Sequence, residues 1–258
     1  MLKFCSLYSG SSGNSLYVEN NDTKILVDAG TSGKKIIEAL NALNIDISEI
    51  NGILVTHEHS DHTLGLPVLS KKYNIPVYAN EKTWSVLPSD KIKNQKIFNM
   101  NEPFLIGNLK IEPFSIPHDA IAPCGFNIYS STQKISIATD IGHITPTIIE
   151  NLKSSSFLLL EANYEPKILQ ASPYPYYLKK RIAGNNGHLS NENAGKLISE
   201  LSNYGLKHVM LGHLSKENNF PELAYQTVLN ELTSNNISLE NLQVSVASRN
   251  EPSPVITI

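Results

Sequence analysis

The sequence predicts an α+β protein in which two mixed β-sheets pack face to face with helices outside, a four-layer αββα sandwich. Short β-type runs alternate with amphipathic stretches throughout the chain, which favours layers of both kinds of element. No linker, low-complexity block or repeat period divides the 258 residues, so we expect residues 1–258 to form a single domain. A doubly wound α/β sheet would give a similar pattern and is the alternative fold.

The first third of the chain alternates between extended and helical patterns. A helix over 32–43 has its apolar residues on one face, and an apolar strand over 52–56 runs directly into a histidine-rich loop. A single helix is expected over 61–73. The remaining strands of this region are expected at 3–7, 15–18, 24–28 and 76–79.

The middle of the chain, from 97 to 139, is a series of short strands separated by Asn, Gly and Pro, which predicts an antiparallel meander. After residue 140 helices and strands alternate again. We expect helices at 146–151, 191–202 and 221–232, and strands at 156–161, 208–211, 243–247 and 255–258.

Composition excludes several classes of protein. The chain has 21 Lys plus Arg and 24 Asp plus Glu, a formal charge of -3, which excludes a globally basic nucleic-acid binder but allows a local basic patch. Its two cysteines, Cys5 and Cys124, form no CxxC pair, so a disulfide scaffold and a thiolate zinc finger are excluded. The first residues lack the apolar core of a signal peptide, and no apolar run approaches the ~20 residues that span a bilayer. These patterns predict a cytoplasmic protein with no membrane association.

Residues 57–62 read His-Glu-His-Ser-Asp-His and follow the apolar strand over 52–56. Residues two apart in an extended segment project to the same side, so His57 and His59 can bind one ion. Asp61 and His62 begin the next helix and can reach a second ion. Imidazole and carboxylate donors without thiolates suit Zn, Mn or Fe. A polar surface loop that happens to be rich in histidine is the alternative.

Three more candidate metal ligands follow predicted strands at long range: His118, Asp140 and His213. Each lies in a loop at the carboxyl end of its strand, where loops gather into a common site. A single loop histidine is more often solvated than bound to metal, so the prediction depends on these residues converging with the histidine cluster.

The pattern His-x-His-x-Asp-His, with the three downstream residues and an aspartate ending an upstream strand, resembles the metallo-β-lactamase-fold hydrolase superfamily. The resemblance implies two divalent cations that make hydroxide from a bridging water, which Asp61 also orients as a hydrogen-bond acceptor. By the same resemblance, Asp28 orients the histidine loop without binding metal. It assigns His57, His59 and His118 to one metal, Asp61, His62 and His213 to the other, and Asp140 to both.

Two further segments, Glu161-Ala162-Asn163 and Gly187-His188-Leu189-Ser190, resemble segments of the tRNase Z nucleases. That resemblance implies that Glu161 keeps His188 protonated as a general acid for the leaving oxygen of a phosphodiester. The alternatives are that Glu161 ends a strand in solvent and that His188 only precedes a helix cap. Asp140, where a cysteine would mark a true β-lactamase, argues against that activity.

The combined pattern, including the early Ser/Gly/Asn loop at 9–15, most resembles the WalJ/YycJ branch, bacterial proteins associated with 5′-to-3′ DNA exonuclease activity. The early loop either cradles a phosphate with its backbone amides or is a hairpin turn that needs its glycines.

Tyrosines interleave with three consecutive cations shortly before His188, which predicts a substrate-binding patch, although a solvated helix face would look the same. The residues of this patch are Tyr174, Lys179, Lys180 and Arg181.

The leading hypothesis is a metal-dependent phosphodiesterase that acts on nucleic acid, of the 5′-3′ DNA exonuclease type, with two Zn, Mn or Fe ions. The alternatives are an acyl hydrolase, such as a lactonase or thioester hydrolase using the same metals, and a non-catalytic metal-binding or interaction protein. Nothing in the sequence indicates an oligomeric state.

Overall fold

The computed structural model describes residues 1–131 and 133–258. The first half of the chain supplies six strands and four helices. They are β1 (Leu2–Tyr8), β2 (Ser15–Asn20), β3 (Thr23–Val27), α1 (Gly33–Ala42), β4 (Ile50–Leu54), α2 (Ser60–Thr63), α3 (Leu66–Tyr73), β5 (Val77–Asn80), α4 (Glu81–Val86) and β6 (Gln95–Phe98).

The second half begins with antiparallel strands and then alternates helices with parallel strands. Its elements are β7 (Phe104–Ile106), β8 (Leu109–Ser115), β9 (Cys124–Ser130), β10 (Gln133–Ala138), α5 (Pro146–Leu152), β11 (Phe157–Glu161), α6 (Pro166–Ala171), α7 (Tyr176–Ile182), α8 (Asn191–Ser202), β12 (His208–Gly212), α9 (Pro221–Ser234), β13 (Gln243–Val246) and β14 (Ile256–Thr257).

The strands form two seven-stranded mixed sheets. The first has the order β14-β1-β2-β3-β4-β5-β6, and the second has the order β13-β12-β11-β10-β9-β8-β7. Strand β14 returns from the end of the chain to pair antiparallel with β1, so the two termini share one sheet edge. The four-layer αββα arrangement predicted from the sequence is confirmed, and the doubly wound alternative is wrong.

Apolar side chains divide into three buried clusters that match the layers. One lies between the two sheets, where the rings of Phe4 and Phe157 approach to 4.4 Å between centroids. A second contains Ile36 and Leu40 of α1 and Leu69 of α3, and so packs these helices on the first sheet. The third places α5, α8 and α9 on the outer face of the second sheet. Burial of these faces is the main stabilising term of the sandwich.

Two element predictions are wrong. The helix expected over 61–73 is two helices, because Gly65 donates its backbone N–H to the carbonyl of Ala29 at 2.7 Å. A Cβ atom at this position would lie 2.6 Å from the carbonyl oxygen of Thr31, so the contact requires glycine. The antiparallel meander begins at β7, because β6 pairs parallel with β5 in the first sheet.

Helices α4 and α6 have no counterpart among the predicted elements. Both are only six residues long, which is too short for a helical period to stand out in the sequence. Across residues 1–131 and 133–258, no helix has the length and apolar character to cross a membrane.

Candidate metal centre

The candidate site lies where loops leave the carboxyl ends of strands in both sheets. Strand β4 leads into the histidine-rich loop and α2, and the loop after β8 carries His118. The parallel strands β10, β11 and β12 end next to Asp140, Glu161 and His213. Because parallel neighbours end at the same edge of a sheet, side chains far apart in sequence meet there.

Three strand ends, those of β3, β10 and β12, turn sharply at the site. Asp28 after β3, Asp140 after β10 and His213 after β12 have left-handed backbone, with φ of 63°, 60° and 54°. This conformation costs about 1–2 kcal/mol for a residue with a side chain, and surrounding contacts must compensate for it. Clustering of this strain around one cleft is typical of a functional site.

The structure brings all seven predicted ligands together. The donor atoms within each of several sets lie within 4.8 Å of one another, and Asp140 belongs to more than one set. Its Oδ2 atom is 3.4 Å from Nε2 of His62, and its Oδ1 atom is 3.7 Å from Nε2 of His118. The sets include His57, His59 and His118; Asp61, His62 and His213; and His57, His62 and Asp140.

The donors fit divalent cations by the polar atoms that they leave without partners. Within the described part of the chain, Nε2 of His57, His118 and His213 and Oδ2 of Asp140 are buried and make no hydrogen bond. A buried polar atom without a partner costs about 1–3 kcal/mol, so four in one cleft indicate a missing partner. Nitrogen and carboxylate oxygen donors without thiolates are the set that Zn, Mn and Fe accept.

Asp28 and Thr56 orient two of the histidines. Asp28 is buried, and its Oδ2 accepts a hydrogen bond from Nδ1 of His62 at 2.7 Å and from the Thr56 hydroxyl at 2.8 Å. Because the single hydroxyl proton of Thr56 is given to Asp28, Oγ1 accepts from Nδ1 of His57 at 3.1 Å. Both rings therefore carry their proton on Nδ1, which leaves Nε2 free to bind metal together with the other candidate donors.

The other two buried candidate ligands, His118 and His213, are also held through Nδ1. Nδ1 of His118 donates to the carbonyl oxygen of Gly187 at 3.0 Å, and Nδ1 of His213 lies 2.7 Å from Oε1 of Glu161. The backbone N–H of His213 also donates to Oγ of Ser9 at 2.8 Å, which fixes this strand end. Four imidazoles thus have the orientation that metal-binding histidines show in proteins.

Glu161 is fully buried and saturated with hydrogen bonds. Its Oε1 accepts from His213 and from Nδ1 of His188 at 2.9 Å, and its Oε2 accepts from the backbone N–H groups of Ile141 and Leu189 at 2.8 and 2.9 Å. Burial opposes its ionisation, but hydrogen bonds and charge from His188 and His213 outweigh burial and hold the pKa of Glu161 well below its usual range. The alternative in which Glu161 ends a strand in solvent is wrong.

His188 lies at the border of the cleft, with 21% of its side chain exposed. Its Nδ1 is 3.5 Å from Oδ1 of Asp140, and its ring centroid is 5.2 Å from that of His118. Burial lowers the pKa of His188, but the carboxylates of Glu161 and Asp140 outweigh burial and raise the pKa above the usual histidine value. The two carboxylates therefore favour the protonated form of the His188 imidazole beside the candidate metal donors.

The three cations of the predicted basic patch lie on helix α7, and each has a different partner. Arg181 donates through Nε to the carboxylate of Asp119, whose Oδ1 is 3.3 Å from Nε2 of His118. Lys179 instead donates to the carbonyl of Gln170 at 2.6 Å, and Lys180 lies 5.0 Å from the ring centroid of Tyr176. Tyr174 is half-buried, whereas Tyr176 and Tyr177 are each 73% exposed.

Sequence reasoning missed Thr56 and Asn14. The side-chain amide nitrogen of Asn14 lies 3.2 Å from Nε2 of His62 and donates to the carbonyl of Asp61 at 3.3 Å. Its loop is a tight turn in which the Gly13 N–H donates to the carbonyl of Gly10, and both glycines have φ near +147°. For Thr56, the one sequence signal was its position directly before the histidine cluster.

The arrangement of two packed sheets, outer helices and clustered imidazole and carboxylate donors defines a class of protein. The model of the beta-lactamase superfamily domain matches residues 23–214. The chain belongs to this superfamily.

Within the superfamily the chain is similar to two named exodeoxyribonucleases. It is 41% identical to exodeoxyribonuclease WalJ of Streptococcus pneumoniae over 236 residues, which cover 89% of this chain and 88% of the relative. It is 38% identical to exodeoxyribonuclease YycJ of Bacillus anthracis over 234 residues, 88% of each. The crystal structure of the metallo-beta-lactamase fold protein YhfI from Bacillus subtilis has the same fold, with a TM-score of 0.73 and 15% identity over 98% of this chain and 99% of that one.

Proposed function

We propose that the protein is a metal-dependent exodeoxyribonuclease that hydrolyses phosphodiester bonds of DNA from the 5′ end. The observation that carries the proposal is the pairing of His188 with buried Glu161 at 2.9 Å, directly beside Asp140. The relatives that are 41% and 38% identical over most of their length carry the name exodeoxyribonuclease, which supports DNA as the substrate.

The candidate donors would hold two divalent cations, with Asp140 between them. When bound, such a pair supplies Lewis acidity that stabilises charge on phosphoryl oxygens and lowers the pKa of water to near neutrality. We propose zinc or manganese as the physiological ions, with iron as a further candidate that the nitrogen and oxygen donors accept.

His188 acts as the general acid. The leaving group of a phosphodiester is a sugar alkoxide, which needs a proton as the bond to phosphorus breaks. Glu161 holds Nδ1 of His188, so the ring presents Nε2 as the proton donor while the buried carboxylate stabilises the imidazolium. An activated ester would gain little from this pair, and the pair therefore favours a nuclease over an acyl hydrolase.

Asp61 positions the attacking water. Its side chain is 25% exposed, and Oδ2 lies 3.6 Å from Nε2 of both His62 and His213. Burial opposes its ionisation, but His213 and His62 outweigh burial and hold the pKa of Asp61 well below its usual range. A permanently ionised carboxylate can accept a hydrogen bond from water and direct its lone pair at phosphorus.

Arg181 would engage substrate phosphate by exchanging its contact with Asp119 for a phosphoryl oxygen. Lys179 and Lys180 would add charge along the same helix, and Tyr174 would support the segment before it. The exposed rings of Tyr176 and Tyr177 offer faces on which a nucleobase can stack.

The proposal is tested with 5′-phosphorylated duplex DNA labelled at either end, in the presence of added manganese or zinc. Wild-type protein should release mononucleotides progressively from the 5′ end, and Asp140→Ala should release none while keeping the circular-dichroism spectrum of the wild type. Equal release by both proteins, or none by the wild type with metal bound, would contradict it.

A second comparison separates phosphodiester from acyl hydrolysis. His188→Ala should slow DNA cleavage about 10²–10⁴-fold, yet change little the hydrolysis of a nitrophenyl phosphodiester, whose leaving group needs no proton. Turnover of a lactone or thioester by a protein that leaves DNA intact would favour the acyl hydrolase instead.

We further propose that residues 1–258 act as one domain, because an apolar cluster between the sheets joins both halves of the chain. We propose the cytoplasm as its location, since the proposed substrate is DNA and the buried cysteines Cys5 and Cys124 are free thiols.

A further inference from the structure

A second basic surface lies on the outer side of the first sheet. It is a cavity of about 820 Å³ between α3 and the segment that precedes β6. We call it the lysine cavity, and its charged residues are Lys71, Lys72, Lys91, Lys93 and Asp90. Four cations against one carboxylate stand out in a chain whose formal charge is -3.

The lysines of this cavity are available to a ligand. All four are exposed, and among the residues described none of them forms an ion pair, in contrast to Lys3, Lys110 and Lys196, which pair with Glu. Pro67 and half-exposed Val68 line the same cavity and give it an apolar part.

The cavity is a built feature, because its two walls are hydrogen-bonded to each other. Oγ of Ser70, buried in α3, accepts from the backbone N–H groups of Lys93 and Asn94 at 3.1 and 3.3 Å. This contact fixes the segment carrying Lys91 and Lys93 against the helix carrying Lys71 and Lys72. The backbone positions from which the four lysines project are therefore set by the fold.

The cavity is connected to the candidate metal centre by α2 and α3. Asp61 and His62 lie in α2, and α3 starts three residues after α2 ends, on the outer face of the first sheet. Helix α7, with Arg181, approaches from the side of the second sheet through its contact with Asp119. The cavity lies towards the amino ends of β5 and β6, so a nucleic-acid strand reaches it by extending from the site along α3.

We infer that the lysine cavity binds the phosphodiester backbone of the nucleic-acid strand beyond the cleavage point. The inference rests on the proposed nuclease function and extends it to a second binding surface. Lysines without base-reading partners contact phosphate independently of sequence, so the cavity would hold the substrate in register for successive cleavage without selecting bases. It also explains how a protein of negative net charge retains a polyanion.

The experiment compares two quadruple variants that remove the same charge. K71Q/K72Q/K91Q/K93Q empties the cavity, and K3Q/K110Q/K196Q/K207Q removes four lysines from other faces. Binding of a fluorescent 30-nucleotide single strand is measured by anisotropy in EDTA at several salt concentrations, so that no cleavage occurs.

The cavity variant should bind the oligonucleotide at least tenfold more weakly, and the slope of log K against log salt should fall by about 3, since each phosphate contact on a single strand contributes about 0.7. The control variant should lose much less of either. Equal losses in the two variants, or none in the cavity variant, would overturn the inference.

Hydrolysis of bis(p-nitrophenyl) phosphate, which is too small to reach the cavity, separates this inference from the proposed function. Wild type and the cavity variant should hydrolyse it at the same rate with manganese present. A wild type that hydrolyses neither this ester nor 5′-phosphorylated DNA overturns the nuclease proposal, while the anisotropy measurement still decides whether the cavity binds the strand. A cavity variant that loses this activity as well as binding would overturn the assignment of the cavity as a separate surface.

Discussion

Oε1 of Glu161 lies 2.7 Å from Nδ1 of His213 and also accepts from Nδ1 of His188. A single buried carboxylate oxygen therefore orients a candidate metal donor and the candidate general acid together. The register of the second sheet produces this contact, because Glu161 at the end of β11 pairs with Gly212, the residue before His213. In the proposed mechanism, this one side chain would couple metal binding to proton donation.

Glu161→Gln should therefore weaken two properties at once. The amide cannot stabilise the His188 imidazolium and orients His213 less firmly, so metal affinity should fall about 10–100-fold and kcat on DNA should fall with metal saturating. Metal content after dialysis and rates at saturating manganese measure the two effects separately.

His188→Ala provides the contrast, since it should lower kcat and leave metal content unchanged. Exposed Glu192, which pairs with Lys196 on α8, is the matched site for a neutral control substitution, Glu192→Gln. If Glu161→Gln retains metal as firmly as this control, Glu161 does not orient His213.

Thr56→Val removes the hydroxyl that joins Asp28 to His57 and keeps the shape of the side chain. Asp28 loses a donor and Nδ1 of His57 loses an acceptor, both in buried surroundings, so the free energy of unfolding should fall by about 1–3 kcal/mol. Metal affinity should fall about tenfold, because the His57 ring is no longer held. Urea unfolding of metal-free protein and a metal titration check these outcomes. Thr56→Ser, which keeps the hydroxyl, should keep the metal affinity of the wild type, and an affinity as low as that of Thr56→Val would mean that the hydroxyl does not hold the His57 ring.

The layered fold could be predicted because strands and helices have different apolar periods and each period is a local property of the sequence. The break between α2 and α3 could not. Its cause is the approach of Gly65 to Ala29 and Thr31, which are more than thirty positions away in a loop of another strand. Isolated glycine inside a helical pattern is compatible with a continuous helix, so only tertiary contact decides the outcome.

Within the candidate site, residues with distinctive chemistry could be predicted, and residues that support them could not. His57 and Asp140 could be predicted because histidine and aspartate are common metal ligands and both residues follow a strand. Thr56 and Asn14 are common residue types whose roles depend on which side chains lie opposite, and that is a property of the folded chain. Their partners come from elements separated by up to 48 residues.

The basic patch illustrates a third limit. Consecutive residues on an α-helix point about 100° apart, so Lys179, Lys180 and Arg181 cannot share one target. Only Arg181 contacts a residue beside the candidate metal donors. The lysine cavity has the opposite property, because its charges come from two segments that are near each other only after folding.

Gly30→Ala should damage both stability and the site. A Cβ atom there would lie 1.6 Å from the carbonyl oxygen of Asp61 and 2.6 Å from the backbone nitrogen of Asn14, so the backbone of α2 must move. We expect a loss of about 3 kcal/mol in the free energy of unfolding, measured in urea, together with lower metal content. Gly205→Ala is the control: it has φ of +82° and no atom within 4 Å, so it should cost about 1–2 kcal/mol and leave metal content unchanged. Equal metal content in the two variants would show that the contact with Asp61 does not position the donors.

Lys134 should make stability rise at alkaline pH. It is 8% exposed, and Nζ donates to the carbonyls of Asn151 and Lys153. Burial lowers its pKa to about 8, and the opposing charge of Glu112 only partly offsets this. Because the unfolded chain keeps an ordinary lysine pKa near 10.4, it binds more protons than the folded chain between pH 8 and 10.4, and stability increases with pH there by up to about 3 kcal/mol.

Urea unfolding of wild type and Lys134→Met from pH 7 to 10.5 isolates this contribution as the difference between the two pH profiles. Parallel profiles would mean that Lys134 keeps its ordinary pKa in the folded protein, whereas a wild-type curve that rises relative to the variant confirms a charge held in the interior.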